Sequence, residues 1–237
     1  MSAAREMLCD TARAVFAEAA DSGMAPVEEA GFAMLLVPEG DGGFDGDWGD
    51  MDAVLQIAGV AIPDLPVAEL LLSGLREVPD ALRAATTVSL MAGAMGQALA
   101  LSIDHVNTRQ QFGRPLGKFQ AVQQSLAVMA CEVRAVGAAA AAMAARLDAV
   151  GLDTSAAGFE IAAAKLRANR AVGVVTAIAH QVHGAIGFTR EYELNRVTIP
   201  LMRWRGTDGN DAHWAQALGR QVADLGGRGL WETLTAR

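Results

Sequence analysis

The sequence is poor in cysteine, in aromatic residues and in positive charge, and each scarcity closes off a class of protein. Cys9 and Cys131 are its two cysteines. They lie far apart, with neither C-x-x-C nor metal-ligand spacing, so no disulfide framework or zinc module is expected. No charged-then-apolar leader with a cleavage site opens the chain, and the expected location is the reducing cytoplasm. Lys and Arg number 19 against 27 Asp and Glu, for a net charge of −8. With no basic block, the chain is not expected to track nucleic-acid phosphates. The longest uncharged stretch, Ala171 to Phe188, carries Thr176, His180, Gln181 and His183, and the alanine run Ala135 to Ala145 is short and flanked by Arg134 and Arg146. No membrane span is expected from either.

What the sequence does have is alanine, about one residue in five. Alanine is the strongest helix former, and β-branched alternation is scarce, so the expected class is all-α. Ser2 to Ala20 reads as a first amphipathic helix, followed by a short helical piece from Pro26 and an apolar run, Gly31 to Val37, that stops at Pro38. Beyond a Gly- and Asp-rich loop from Gly40 to Asp47, helices are predicted over Asp50 to Val60 and Leu65 to Leu75. Three long helical patterns then run from Pro79 to Thr108, Lys118 to Val150 and Thr154 to Ile186, which predicts an antiparallel bundle. Shorter helices follow at Tyr192 to Trp204 and Ala212 to Leu225, joined by the turn Gly206 to Gly209. These patterns divide the chain into an N-terminal helical part, 1–76, and a C-terminal helical-bundle domain, 77–237. The Ala-rich helix from Arg134 to Arg146 suits close packing, foremost in a core and secondarily in a subunit interface.

Metal sites are expected to be absent. Asp41, Asp45, Asp47, Asp50 and Asp52 crowd one loop but match no EF-hand, and a solvated loop that caps the following helix accounts for them. His180 and His183 could face one ion, yet no third ligand is near in sequence. The informative stretch is Thr108 to Gln123, which sets Arg109, Arg114, Phe112 and two glycines in a turn between long helices, ahead of Gln120, Gln123 and Gln124. Guanidinium groups suit phosphate oxygens, an aromatic ring suits a flat base, and amides suit ribose or base edges. From these residues alone, a site for an extended anionic ligand and an ordinary helix-helix corner both remain open.

The run R-Q-Q-F-G-R-P-L-G-K-F-Q-A-V-Q at Arg109 to Gln123 resembles a motif of the acyl-CoA dehydrogenase C-terminal domain. Gln181-Val-His-Gly-Ala-Ile-Gly-Phe-Thr-Arg-Glu-Tyr192 resembles the family's Q-x-H-G-G-x-G-F-T-x-E-Y, and Gly31-Phe32 through Pro38-Glu39 to Gly42-Gly43 resembles its N-terminal G-F-x-x-L-x-V-P-E-x-x-G-G. The resemblance implies a flavoprotein chemistry in which FAD oxidises a CoA thioester to its trans-2-enoyl product, a glutamate taking the α-proton while hydride leaves the β-carbon. It also implies FAD shared between two subunits. In those terms Arg109 would meet the pyrophosphate, Gln111 and Phe112 the adenosine part, Gln120 and Gln181 further polar atoms, and backbone at Gly184 and Ala185 would add hydrogen bonds. Thr207, of the Gly-Thr pair, is the remaining cofactor-binding candidate.

The departures from the family pattern matter as much. Leu75 to Pro79 leads almost directly from one helical part to the other, so the central β domain of full-length relatives is expected to be absent. Arg205 occupies the usual glutamate position before Gly206-Thr207, and the alternative glutamate position falls near Thr86 and Thr87. Arginine stays protonated and cannot act as a base, so no catalytic residue is assigned and the chain alone is expected to be inactive. The resemblance therefore implies a degenerate subunit that contributes part of an FAD site to a heteromeric flavoenzyme. Its partner would be a full-length acyl-CoA dehydrogenase-like subunit, its substrate an acyl-CoA reached through the complex, and its setting lipid or steroid catabolism. An oligomer is expected, and the alternative is a scaffold or stabilising subunit that binds no flavin.

Overall fold

A computed structural model describes residues 2–151, 153–189 and 192–235. Arg190 and Glu191 of the second motif, and Leu152 of the predicted break, lie outside the described residues. The chain folds as α1 (Ala3–Ser22), α2 (Ala25–Glu29), α3 (Trp48–Ala61), α4 (Val67–Leu72), α5 (Asp80–Thr108), β1 (Gln110–Gln111), β2 (Arg114–Pro115), α6 (Gln120–Val150), α7 (Gly158–His183), α8 (Leu194–Trp204) and α9 (Asp211–Thr235). Among the described residues the antiparallel pair β1–β2 is the whole of the sheet structure. The all-α expectation therefore holds, and α4 passes to α5 through residues 73–79 with no strand between them.

Local chemistry sets the helix ends. The Ser2 side chain accepts the Arg5 N–H and starts α1. Asp47 and Asp50 form a capping box at the start of α3, and Arg5 bridges the same two carboxylates at 2.5 Å each. The acidic loop is thus partly spent on starting a helix, as an acidic side chain near unsatisfied N–H groups should be. Asp148, near the end of α6, adds a further cap by accepting the Trp48 N–H at 2.5 Å. Gly151 (φ 67) ends α6 and Gly184 (φ 63) ends α7, both in the left-handed region that glycine enters without a Cβ clash. Gly226 (φ 66) interrupts α9.

One continuous apolar cluster runs from α1 through α9. At its centre lies α5, packed against α3, α6, α7 and α8, with sixteen of its residues buried, Leu82 to Met95 prominent among them. Three helical segments, 80–108, 120–150 and 158–188, are long and apolar enough to cross a membrane by length and composition. The first puts 67% of its apolar window inside the protein, whereas α6, with the highest mean hydropathy at 1.6, buries 22% of its window.

The closest approach in the core is between backbones. A Cβ at Gly59 of α3 would lie 2.2 Å from the Leu90 carbonyl oxygen, and a Cβ at Gly93 of α5 would lie 2.0 Å from the Gln56 carbonyl oxygen. Neither gap admits a methyl group unless the helices separate. Gly93→Ala and Gly59→Ala should each destabilise the protein by about 1–3 kcal/mol or more, the cost of overpacking a filled core. Gly96→Ala, three residues on and with nothing within 4 Å of its added Cβ, should stabilise by about 0.5–1 kcal/mol through helix propensity. Urea unfolding of the three variants checks this; equal effects at positions 93 and 96 would remove the packing explanation.

Candidate functional site

The end of α5 delivers Arg109 to an open cavity of about 950 Å³. The Arg109 N–H closes the helix on the His105 carbonyl at 2.8 Å, while its own carbonyl accepts the Leu116 N–H at 2.9 Å. The two residues between β1 and β2, Phe112 (φ 52) and Gly113 (φ 78), both take positive φ, the signature of a tight hairpin turn. Glycine does so freely; phenylalanine does so at a cost of about 1–2 kcal/mol. The turn holds the Phe112 ring 89% exposed at its tip, edge-on to Phe119 with 6.1 Å between centroids. The Arg114 guanidinium lies 4.1 Å over the other ring, Phe119.

Across the cavity stands the end of α7. Arg109, Gln111, Gln181, Gly184 and Ala185 all line the same space. At Gly184 an added Cβ would meet nothing within 4 Å, so the backbone of the turn stays open to the cavity. Phe112 and Gln120 are exposed beside it without lining it, and Thr207 lies at a different cleft.

His105 and His183 form part of the cavity wall, a role that spacing alone did not reveal. Their rings stack at 4.4 Å, and Tyr192 leans on His183 with centroids 5.1 Å apart. Burial holds both histidines below their ordinary pKa, each further disfavoured or supported by its neighbours: the His183 charge lowers His105, while the Ala179 carbonyl partly offsets the shift of His183. His183 Nδ1 contacts the Ala179 carbonyl at 2.7 Å and His180 Nε2 contacts the Thr198 hydroxyl at 3.1 Å. The two imidazoles are thus engaged with different partners, and no group of three or more potential metal ligands occurs among the described residues.

The second cleft, about 350 Å³, lies at the other end of α5 and includes Thr86, Thr87, Arg203, Thr207 and Asp208 in its lining. Several of its polar groups bond one another or nearby backbone. Thr87 Oγ1 donates to Asp208 Oδ2 at 2.7 Å, and Arg203 reaches the Pro63 carbonyl at 3.4 Å and Asp64 at 3.6 Å. Arg205 pairs with Asp211 at 2.8 Å, which raises its already high pKa. The turn beyond Arg205 is tied down from below by Lys165, fully buried, whose Nζ donates to Asn169 Oδ1 at 2.8 Å, the Trp204 carbonyl at 3.0 Å and the Gly209 carbonyl at 3.4 Å. Trp214 Nε1 donates to the Asp208 carbonyl at 2.9 Å. Sequence reading missed Lys165; its one signal was a charge inside the apolar run Ala162 to Leu166, four residues before Asn169.

Burial lowers the Lys165 pKa to about 8, against the opposing pull of Asp208 and Asp211. Between about pH 8 and the unfolded value near 10.5 the unfolded chain binds more protons than the folded one, so stability rises with pH across that window. The rise should be on the order of 3 kcal/mol. Lys165→Met should abolish it in urea unfolding at pH 7.5 and pH 10; an unchanged pH slope would refute the assignment.

Residues 81–222 match the family model "Acyl-CoA dehydrogenase, C-terminal domain". The 3-sulfinopropanoyl-CoA desulfinase of Paraburkholderia xenovorans is 33% identical over 139 residues, 59% of this chain and 33% of that protein. The chain spans less than half the length of this and other curated relatives. Among solved structures, a chain of the Tcur3481-Tcur3483 steroid ACAD G363A variant superposes with a TM-score of 0.79 at 16% identity, covering 93% of this chain and 98% of that one. A chain of the ChsE4-ChsE5 complex from Mycobacterium tuberculosis gives 0.78 at 14% identity, covering 94% and 98%. At these identities the likeness concerns the fold, and it extends over nearly the whole of both chains.

Proposed function

The chain belongs to the acyl-CoA dehydrogenase family, and we propose that within it this chain is a non-catalytic subunit of a heteromeric flavoenzyme acting on a CoA thioester. It contributes the dinucleotide side of an FAD site, and a catalytic family relative contributes the flavin-ring side and the base. The observation that carries this reading is a contrast: Arg109, Gln111, Gln181 and Gly184 share one open cavity, whereas Arg205, which the family resemblance sets at the base position, is held by Asp211 at the end of α8.

The donor set fits the nucleotide half of FAD. Arg109 offers a planar guanidinium for pyrophosphate oxygens, Gln111 and Gln181 offer amides for sugar and base atoms, and the Gly184–Ala185 backbone can be approached without a side chain in the way. Phe112, held out at the hairpin tip, offers a flat apolar face beside them. The ring-side pocket that a β domain would supply has no counterpart among the described residues. Bound FAD supplies the hydride acceptor; this chain's own part is to bind and orient the dinucleotide. The solved relatives with the same fold are described as the Tcur3481-Tcur3483 steroid ACAD and the ChsE4-ChsE5 complex, which supports a two-component assembly and a bulky, steroid-derived acyl group as the thioester class.

The test is co-expression with a family relative that retains the glutamate. The purified pair should carry FAD and dehydrogenate an acyl-CoA, and this chain alone should do neither, even as Arg205→Glu. Arg109→Ala removes a charge-assisted hydrogen bond, and flavin affinity of the pair should fall about ten- to a hundredfold. The melting temperature of the isolated chain should stay unchanged, since Arg109 is exposed and no ion pair joins it to other described residues. Full FAD occupancy at limiting flavin with Arg109→Ala would instead make this chain a scaffold.

A further inference from the structure

The cavity that holds Arg109 sits where two helices end, α5 at Thr108 and α7 at His183. The last carbonyls of a helix carry partial negative charge, the wrong sign for a pyrophosphate, and favour cations instead. A site for a doubly charged anion at this place needs more positive charge than Arg109 alone brings. The other basic residues lining the cavity are His105 and His183, each in the last turn of its helix, and no carboxylate lines it among the described residues. The source of a second cation is therefore this stacked pair, whose ring centroids lie 4.4 Å apart.

The two imidazoles are not equivalent. His183 is 5% exposed, and its Nδ1 meets the Ala179 carbonyl at 2.7 Å; a carbonyl only accepts, so Nδ1 carries the hydrogen of the neutral ring. Its Nε2 is buried and completes no hydrogen bond among the described residues, although the Ala179 and Leu101 carbonyls both favour a proton on the ring. His105 is partly exposed in the same wall, so it is the ring that water and a ligand reach. Burial, His183 and Arg109 hold it below its ordinary pKa, against the weaker pull of Asp104. Tyr192 packs on both rings, 5.1 Å from His183 and 6.2 Å from His105, and burial with the nearby Asp104 and Glu193 keeps its hydroxyl protonated. On the other elements packed here, Arg114 lies over Phe119, Lys118 stands in the following turn, and α6 brings no charge before Glu132, itself paired with Arg167. His180 is lowered by burial and then by His183, and Arg196 follows on α8. Two imidazolium ions stacked at this distance would repel strongly, so the pair has room for one added proton, and the more accessible His105 takes it.

We propose that His105 is a second phosphate-binding residue of the dinucleotide site and acts there as an imidazolium: FAD binds together with one proton, taken from solvent onto the His105 ring, with neutral His183 as its stacking support. The inference rests on the flavin reading and adds a proton dependence that Arg109 cannot confer, since a guanidinium keeps its charge throughout. The pyrophosphate of FAD likewise keeps its charges over the neutral range, so the titrating group lies on the protein. The bound anion holds the proton on His105, and protons and dinucleotide therefore favour each other: affinity rises as pH falls.

The test is the pH dependence of FAD binding to the co-expressed pair after its flavin has been stripped, read from flavin fluorescence. Wild-type affinity should tighten about tenfold from pH 8 to pH 6, and calorimetry at pH 7 in two buffers of different ionisation enthalpy should show net proton uptake on binding. His105→Gln keeps a hydrogen-bonding side chain that does not titrate; at pH 6 it should bind FAD about tenfold more weakly than wild type, with the pH slope gone. His105→Arg, a permanent cation that also stacks on a flat ring, should bind tightly at both pH values. A purely structural His105 would make the two variants weak alike and leave wild type without proton uptake, which overturns the inference. A wild-type affinity that does not change with pH, or a slope that survives in His105→Gln, also overturns it while leaving the flavin reading in place. A pair that takes up no FAD at any pH overturns the flavin reading, and this inference with it.

Discussion

Where α3 crosses α5 the two backbones come into direct contact at Gly59 and Gly93, and the rest of the structure takes its position from that crossing. With no side chain between them, the helices sit closer than any pair of alanines would allow. The axis of α5 is thereby fixed against the N-terminal helices, and α6, α7 and α8 all pack on it. Both polar clefts are reached from this one helix. Thr86 and Thr87 lie seven and six residues before Gly93 and Arg109 lies sixteen after, the latter about 24 Å along the axis. A shift at the crossing would displace both clefts together.

The two clefts spend their hydrogen-bonding capacity in opposite ways. At the Thr87 end several donors and acceptors are taken up internally: the Asp208 carboxylate by Thr87 and the turn carbonyls by Lys165 and Trp214. Buried polar groups must be satisfied somewhere, and here neighbouring side chains and backbone carbonyls satisfy them. Asp208 (φ 53) even accepts a left-handed backbone to bring its carboxylate to Thr87. At the Arg109 end the long polar side chains remain in solvent around an open cavity, and the backbone cost at Phe112 is carried by a hairpin whose tip touches little of the core. In the proposed function, this strained and exposed turn and the open polar side chains beside it are what the dinucleotide would meet.

Much of this was legible from residues alone, and the parts that were not share a cause. Helix limits follow from caps and breakers that act locally: Pro79, the Gly113–Pro115 hairpin, Gly151 and Gly184 place α5, α6 and α7 within a few residues of the predicted ranges. The start of α7 at Gly158 rather than Thr154 reflects the Asp153 side chain accepting the Ser155 and Ala156 N–H groups, a local bond that competes with the helix. The candidate dinucleotide residues were readable because the family motif is contiguous in sequence, yet their convergence with His105 needed the fold. Gly59 and Gly93 carry no local signal, since a helical glycine looks like a weak helix position until its neighbour across the crossing is known. The exposed half of α6 was hidden for a similar reason: Val136, Ala140, Met143 and Leu147 face the core, and alanine reads alike on both sides of a helix.

Aromatic poverty ties these features together. With 5% aromatic residues, the chain has few side chains able to bury a large area at one point, and it builds contacts from backbone proximity and repetition instead. Inside, that means glycine at the α3–α5 crossing and alanine throughout α5 and α7. A chain assembled in this manner is specified by spacing, above all at the glycine crossing, where one added methyl on either helix would force the pair apart.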